Sequence, residues 1–474
     1  TAAVLGKRFD TQLLAHMLPR HSNLEANIEQ AKKEQIWARH TDETLYTFRH
    51  SLLRDAAYEM QLRARLRELH LRAAEAYLSV YGFELDGHYG EVAFHYEQAM
   101  KRKEAARWYR VAGEHAARFY ANMEAITYFT KGLALLSETA ESERYAMLRA
   151  REEIFMLRGQ RNEQWEDLKE MERLAAGSEN QMLQADCALR FAHYYKTIGD
   201  YATALESAET AVNIARQINA HQIEMGGQLL WGQTLLLLGE LEAAQERLKI
   251  VSHRAHTTSL LNLKADSLSA LALLHDQLGL PDESIQYLNQ ALPIYQTLRD
   301  RQGESTILIE LGNVFSRQGR FFDAQHCFKK AHQIIEETGD MQLLCRVTIN
   351  LGTLHLELGE YHKSISALNE AVKLCQSIRL KVGECIGLTN LSQIYVSLDN
   401  GRKAMQVAQD AYASAKSLND PNLVGYAQRC IGLAHIALGN LTEAATIFLH
   451  IHELWLEHDH LPFLLEILST QAYI

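Results

Sequence analysis

The chain has 474 residues, a formal net charge of −11 and 47% hydrophobic residues, with only 5 prolines and 26 glycines. That length exceeds a single compact core, and the scarcity of Pro and Gly beside abundant Ala, Leu, Glu, Gln and Arg reads as a nearly all-helical protein. The acidic balance argues against a general nucleic-acid binder, and no run of 18 apolar residues is present to span a membrane.

The six cysteines (Cys187, Cys327, Cys345, Cys375, Cys385 and Cys430) form no CxxC pair and sit among apolar helix residues. They read as reduced thiols packed in a cytoplasmic protein. The opening TAAVLGKRFD starts on Thr1 rather than Met, in mid-pattern and without the features of a secretory signal. A piece of a longer protein is therefore expected.

Residues 1–80 are expected to form a module of their own. RFDTQLLAHML predicts a short helix capped by Asp10, and NLEANIEQAKKEQIWA a second helix capped by Asn23. TDETLYTF, with Thr41, Thr44 and Thr47 around Tyr46 and Phe48, suits a strand or β-wing. HSLLRDAAYEMQLRARLRELHLRAAEAYLSVYG then reads as long helix. Helices, a small β-element and more helix together suggest a winged-helix-like module. Arg63, Arg65, Arg67 and Arg72 alternate with Glu68 and Glu75 at helical spacing, which predicts an ion-paired solvated stripe rather than a nucleic-acid surface.

From residue 81 to about 460 the chain repeats. A glycine returns at a constant interval, at Gly159, Gly199, Gly239, Gly279, Gly319 and Gly359; Asp399 takes the next place and Gly439 the last. Other columns follow: Gly232, Gly312, Gly352 and Gly432 precede the turn, while Leu248, Phe328, Leu368 and Phe448 follow it. Small residues let two antiparallel helices approach, the large residue plugs the gap to the next unit, and Gly at the turn accepts a positive φ. A fixed period of this size predicts a solenoid. The unit resembles the tetratricopeptide repeat, lengthened from its usual ~34 residues. The extra residues are expected near the inter-unit loops ETGD (337–340), LRDRQGES (298–305) and SLNDPN (417–422).

Before Gly159 the pattern loosens. Ala105, Ala112, Gly113, Ala125 and Phe129 keep suitable offsets, and GEVAFHYEQAM, with Ala93 and Tyr96, reads as the first helix of an earlier unit. Around Gly159 itself, Glu152 and Gln164 occupy columns that elsewhere favour small residues, the mark of a drifted repeat. The predicted fold is an all-α, right-handed superhelical solenoid of about ten such hairpins, residues 81–460, behind a winged-helix-like module, 1–80, with 461–474 as a tail.

LGKRFDTQLLAHML, YTFRHSLLRDAAYE and RLRELHLRAAEAYL are similar to the segment joining ATPase to repeats in signal-transduction ATPases with numerous domains, a family that includes large LuxR-type regulators and ATPases attached to nucleotide cyclases. HYGEVAFHYEQAMKRKEAARWYRVAGEHAARFYANMEAITYFTKGL resembles the start of their repeat arrays. The resemblance runs from Thr1 to the neighbourhood of Ala140. It implies an ATP-binding core ahead of Thr1, a repeat array acting as sensor, and, at FRHSLLRD, a place for His50 against the phosphate of bound ADP. The chain itself contains no GxxxxGK[ST] loop, so it is not expected to bind or hydrolyse ATP alone.

No GxSxG elbow or HExxH pair is present either. His450, His452, His458 and His460 are the best metal candidates, but residues two apart on a helix diverge. No catalytic residue, metal or cofactor is expected.

In tetratricopeptide arrays the first helix of each hairpin lines the concave groove. Its exposed columns here are predicted to present Arg190, His193, Gln233, Asn313, Arg317, Arg346, Asn350, Asn390 and Gln393. In peptide-binding relatives an Asn at the column of Asn350 and Asn390 clamps the ligand backbone, since a carboxamide donates and accepts together. Leu229, Leu230, Leu236 and Leu237 are expected as a concave apolar stretch, a second docking surface or a place where the superhelix closes on itself. The expected partner is a protein or peptide, or a small-molecule effector, with no membrane. A sensor of a signalling ATPase and a stand-alone scaffold are the two readings; a hydrolase or metal enzyme on the C-terminal histidines is the third.

Overall fold

The computed structural model describes the chain apart from residues 20–21, 41–43, 83–84, 259, 419–420 and 458–474, and divides into two units, Thr1–Ile154 and Phe155–Ile474. In the first unit a 3-10 turn, Ala2–Leu5, leads into β1 (Arg8–Asp10), α1 (Thr11–Met17), α2 (Leu24–Lys33), β2 (Trp37–Arg39) and β3 (Leu45–Phe48). The three strands form an antiparallel sheet in the order β1-β3-β2. Tyr46 and Phe48 alternate inward and pack with Phe9 and Trp37. Asp10 and Asn23 cap α1 and α2 by accepting from the backbone N–H of Gln12 (2.6 Å) and Ala26 (3.1 Å).

Two expectations for this region need correction. The second helix does not reach IWA: Gln35 takes a positive φ of 56°, and Trp37 and Ala38 pair with β3 as a strand. The long helix after it is two, α3 (Ser51–Glu59) and α4 (Arg63–Tyr81), with Leu62 extended between them. The break lets α3 lie on the 3-10 turn and β3 while α4 packs on α1, which one straight rod could not do. Arg65 and Arg72 both pair with Glu68 at 2.6 Å, the expected ion-paired stripe.

α5 (Tyr89–Gln98), α6 (Arg102–Arg118), α7 (Asn122–Leu135) and α8 (Glu141–Leu157) follow, the boundary between units falling inside α8. α6 and α7 form a hairpin in which Gly113 lies under the Phe129 ring. α5 packs closely on α6 in turn, with Met100 left-handed between them.

The second unit contains α9 (Arg161–Gly177) and then seven hairpins among the described residues. These are α10 (Gln181–Ile198) with α11 (Tyr201–Gln217), α12 (His221–Leu238) with α13 (Leu241–Thr258), α14 (Leu261–Gln277) with α15 (Pro281–Leu298), and α16 (Arg301–Arg317) with α17 (Phe321–Thr338). α18 (Met341–Glu357) with α19 (Tyr361–Ser377), α20 (Lys381–Ser397) with α21 (Gly401–Lys416), and α22 (Pro421–Ala437) with α23 (Leu441–Glu457) complete them. From α8 onward the helices start at a constant interval, at Glu141, Arg161, Gln181, Tyr201, His221 and so on to Leu441. The repeat period is thus two equal halves. The glycines at the hairpin turns are left-handed as expected, and so is Asp399. A second left-handed column joins one hairpin to the next at Asn219, Arg299, Gly339 and Arg379. The residues beyond the usual unit therefore lengthen the helices rather than the loops: only Arg299 and Asp300 separate α15 from α16.

Packing between the helices of a hairpin follows the small-to-large columns. A β-carbon placed on Gly352, Gly432 or Gly232 would stand 2.7 Å from Leu368, 2.8 Å from Phe448 or 2.9 Å from Leu248. Such approach leaves no room for a methyl group and removes the interface from water. At the irregular repeat, Glu152 and Gln164 are fully buried, Gln164 accepting from Arg161 at 2.6 Å. The six cysteines are free and buried. Among the described residues no helix is long and apolar enough to cross a membrane, and no cluster of three metal-binding side chains occurs. His458 and His460 lie outside the described residues.

The second unit also touches itself across a long stretch of sequence. Gln342 donates to the carbonyl of Met156 (2.8 Å), and Arg379 donates to Asn162 (3.0 Å). Gly159 faces Ile378, and Gly199 faces Leu418. The last turns of one coil of the solenoid therefore rest on its beginning, several hairpins earlier.

Candidate ligand-binding groove

Within the second unit the first helices α10, α12, α14, α16, α18, α20 and α22 pack against their next neighbours in turn, beneath the hairpin partners. The layer whose helices lie closer together is the inner side of the curve. Its polar residues bond laterally, from hairpin to hairpin. Lys196 donates to Gln233 (2.7 Å), Asn350 to Asn313 (2.6 Å), Asn390 to the hydroxyl of Thr353 (2.8 Å), and Arg346 to Glu310 (3.0 Å). Arg317 pairs with Asp276 across α14 and α16.

The ladder accounts for most of the predicted groove residues. Asn313, Asn350 and Asn390 lie on one wall, as the spacing implied, but two adjacent-hairpin contacts hold them rather than open solvent. Each carboxamide still has valences left, since one N–H or one lone pair is used in each bond. Gln393 follows Asn390 one turn later on α20 and is partly exposed. Arg190 is not an exposed groove residue: it is 8% accessible. The leucine stretch also needs correction. Leu229, Leu230 and Leu236 are core residues of α12 with 6%, 1% and 1% exposure, and Leu237 alone is open, at 48%. Close packing of α12 between α10 and α14 and against α11 and α13 turns those positions toward the neighbouring helices instead of the groove. His50 stands at the start of α3, exposed, and its side chain makes no capping bond.

The deepest part of the wall is charged, and sequence reading missed half of it. Burial lowers the Lys196 ammonium to about 8 and pushes the Asp266 carboxyl up to about 6, although the two attract each other. Tyr295 donates its hydroxyl to Asp266, and burial raises its own pKa. His193 is pushed well below its ordinary value by burial and by the positive charges of Lys196 and Arg190, so it is neutral at pH 7. Asp266 lies two repeats before Arg346, in the same column, and that register was the signal available for it. Two donor groups of Arg346, Nε and Nη2, are buried without a partner beside the Asn350–Asn313 pair. The wall therefore offers part-exposed carboxamides with valences left over and a cationic end, the groups that hold an extended backbone and an acidic side chain or terminus.

Helical hairpins with this periodicity and packing make the chain a tetratricopeptide-like solenoid. The tetratricopeptide repeat family matches residues 303–377 and 265–297, and the family of anaphase-promoting complex subunit 5 matches residues 168–225. The transcriptional activator NprA of Geobacillus stearothermophilus is 27% identical over 157 residues, 33% of this chain and 38% of that protein. The chain thus spans well under half the length of that relative. Among solved structures, a Rap protein complexed with competence and sporulation factor superposes with a TM-score of 0.56 at 15% identity, covering 75% of this chain and 98% of the other. A signal-transduction ATPase with numerous domains, carrying a tetratricopeptide repeat sensor, from Pyrococcus horikoshii covers 98% of this chain and 63% of its own, with 13% identity and a TM-score of 0.44.

Proposed function

We propose that this chain is a non-catalytic sensor module that captures an extended protein or peptide segment along the inner wall of its second unit. The observation that carries the reading is the row of part-exposed carboxamides Asn313, Asn350 and Asn390 along one wall, each with hydrogen-bonding valences left over. A peptide backbone lying along them finds donors and acceptors on the same side chains, which makes its capture favourable. The fold match to a Rap protein complexed with competence and sporulation factor supports the same reading.

In this proposal residues 1–80 form the winged-helix-like regulatory element and residues 81–460 the sensor. Ligand capture changes the preferred pose of the regulatory element, and an ATPase core ahead of Thr1, contacted through His50 on its bound nucleotide, responds. Such a switch requires the ligand to bind two poses with different affinity.

A displayed random-peptide library selected on the chain tests the groove. Selected peptides are expected to lose about tenfold or more in affinity to the Asn350→Ala/Asn390→Ala variant, the scale of one or two lost charge-free hydrogen bonds, with the melting transition retained. Peptides that bind the variant as well as the parent chain overturn the assignment.

A further inference from the structure

A second site lies on the other layer of the solenoid, where α9 and α11 flank α10. It is a cleft of about 580 Å³ lined by Trp165, Phe191 and Tyr195, with Glu172 and Glu206 on its rim. Trp165 meets Phe191 edge-on at 5.7 Å, and Phe191 stacks with Tyr195 at 6.0 Å. The lining contains two carboxylates and no Lys or Arg among the described residues.

The repeat itself shows what such a cleft takes. One repeat on, the column of Phe191 holds Trp231, and the column of Ser207 holds Arg247. There the Arg247 guanidinium lies 4.1 Å over the Trp231 ring and donates to Gln228 at 3.2 Å. Five repeats on, the columns of Tyr195 and Thr203 hold Tyr395 and Lys403, and the Lys403 ammonium lies 4.5 Å from the Tyr395 ring centre. In those two grooves the following second helix supplies the cation that covers the aromatic face. Between α9 and α11 both aromatic columns are filled, while both cation columns carry small hydroxyls, Ser207 and Thr203. The half-buried rings of Phe191 and Tyr195 pack on Trp165 and on each other with no cation from α11 over them, and the charge left over in the lining is negative.

We propose that this cleft binds an arginine side chain presented by a partner protein, the guanidinium stacking on Phe191 and Tyr195 and its N–H groups facing Glu172 and Glu206. Arginine suits it better than lysine, because its planar group stacks on a ring and bonds to carboxylates at its edge. The site is on the opposite layer from the inner wall, so this inference and the groove reading stand or fall separately.

The test uses the whole chain labelled with 5-fluorotryptophan and titrated with N-acetyl-arginine amide, followed by fluorine NMR, the Trp165 resonance being assigned with Trp165→Phe. A saturable shift of the Trp165 resonance is expected, with no shift of Trp231, whose slot Arg247 already fills, and none with N-acetyl-citrulline amide. Ser207→Arg supplies the missing side chain in cis and should weaken the titration by at least about tenfold, the scale of a lost cation–π contact with its carboxylate partner. Arg247→Ser makes the reciprocal test independent of how Ser207→Arg folds: it opens the neighbouring slot, and the Trp231 resonance should then respond to the arginine probe. A Trp165 resonance that stays still, or that moves equally with citrulline, overturns the proposal, as does a silent Trp231 in Arg247→Ser.

Discussion

Gly352 lies so close beneath Leu368 that a β-carbon there would stand 2.7 Å from the leucine Cγ, and the Ser364 hydroxyl donates to the Gly352 carbonyl at 2.6 Å in the same contact. The pair shows how one hairpin is closed: a missing side chain on the first helix, a branched one on the second, and a hydroxyl that satisfies the backbone between them. Gly352→Ala should destabilise the chain by about 1–3 kcal/mol through overpacking. Adding Leu368→Ala, which makes room, should cost less than the sum of the two single changes. Denaturant unfolding of the four proteins measures the coupling, and strict additivity would show that the close approach does not matter.

The self-contact of the second unit should be felt beyond its immediate neighbours. Gly159 has a φ of 67° and faces Ile378, so Gly159→Ala meets both backbone strain and a clash. Gly159→Ala or Arg379→Ala is expected to raise the amide-exchange rate around both 156–162 and 378–379, two segments remote from each other in sequence. If exchange rises only around the substituted residue, the contact contributes no coupling. Nearest-neighbour solenoids lack such coupling, and this chain should therefore unfold more cooperatively than its repeats alone predict.

His70 and His95 form a buried relay in the first unit. Their Nδ1 atoms lie 2.9 Å apart, and Tyr58 on α3 meets the other nitrogen of His70 at 2.9 Å. Burial lowers His70 to about 4 and His95 to about 3, the latter helped by the charge His70 would carry. Phe94, Tyr77 and His88 complete the surroundings. The unfolded chain, with ordinary imidazoles near 6.5, takes up protons first as pH falls. Stability from this relay is thus complete above about 6.5 and lost toward pH 4, by up to about 1.4 kcal/mol per histidine per pH unit. Amide protection factors in α3 and α4, the exchange rates taken relative to the intrinsic rate at each pH, should fall between about pH 6.5 and 4.5 in the parent chain. In His70→Gln/His95→Gln that fall should be absent, and its persistence would remove the relay as the cause.

Asp266 works in the opposite direction. Its folded pKa of about 6 lies above the ordinary carboxyl value, so the stability it allows is present below about pH 4 and lost as pH rises through 6. Asp266→Asn keeps an acceptor for Tyr295 and removes the buried charge. It should stabilise the chain by about 1–2 kcal/mol at pH 8 and change little at pH 4. A variant equally affected at both pH values would mean that the charge is not what the site resists.

The repeat was legible because its turns need left-handed residues and glycine supplies them at little cost; Gly199, Gly239 and Gly319 mark every hairpin they close. The second column was hidden because Asn219, Arg299 and Arg379 take the same conformation without being glycine. The groove columns were legible as a face, since Asn350 and Asn390 recur one repeat apart. What periodicity could not show is that the same residues bond to one another, or that Leu229 and Leu236 turn inward, because both depend on how far each hairpin rotates on the next. The helix break at Leu62 was invisible for a related reason: every residue from Ser51 to Tyr81 accepts a helix, and only the docking of α3 on the 3-10 turn forbids a single rod.

Helices of equal span give the chain a sidedness that length alone preserves. Loss of a single segment from, for example, His221 to Glu240 would leave every later helix intact and every turn sound, yet each groove-lining face beyond it would become a back face and each back face a lining one. Only gains or losses in pairs of segments keep the two layers distinct. The array can therefore lengthen or shorten by whole hairpins while the identity of its inner wall is conserved.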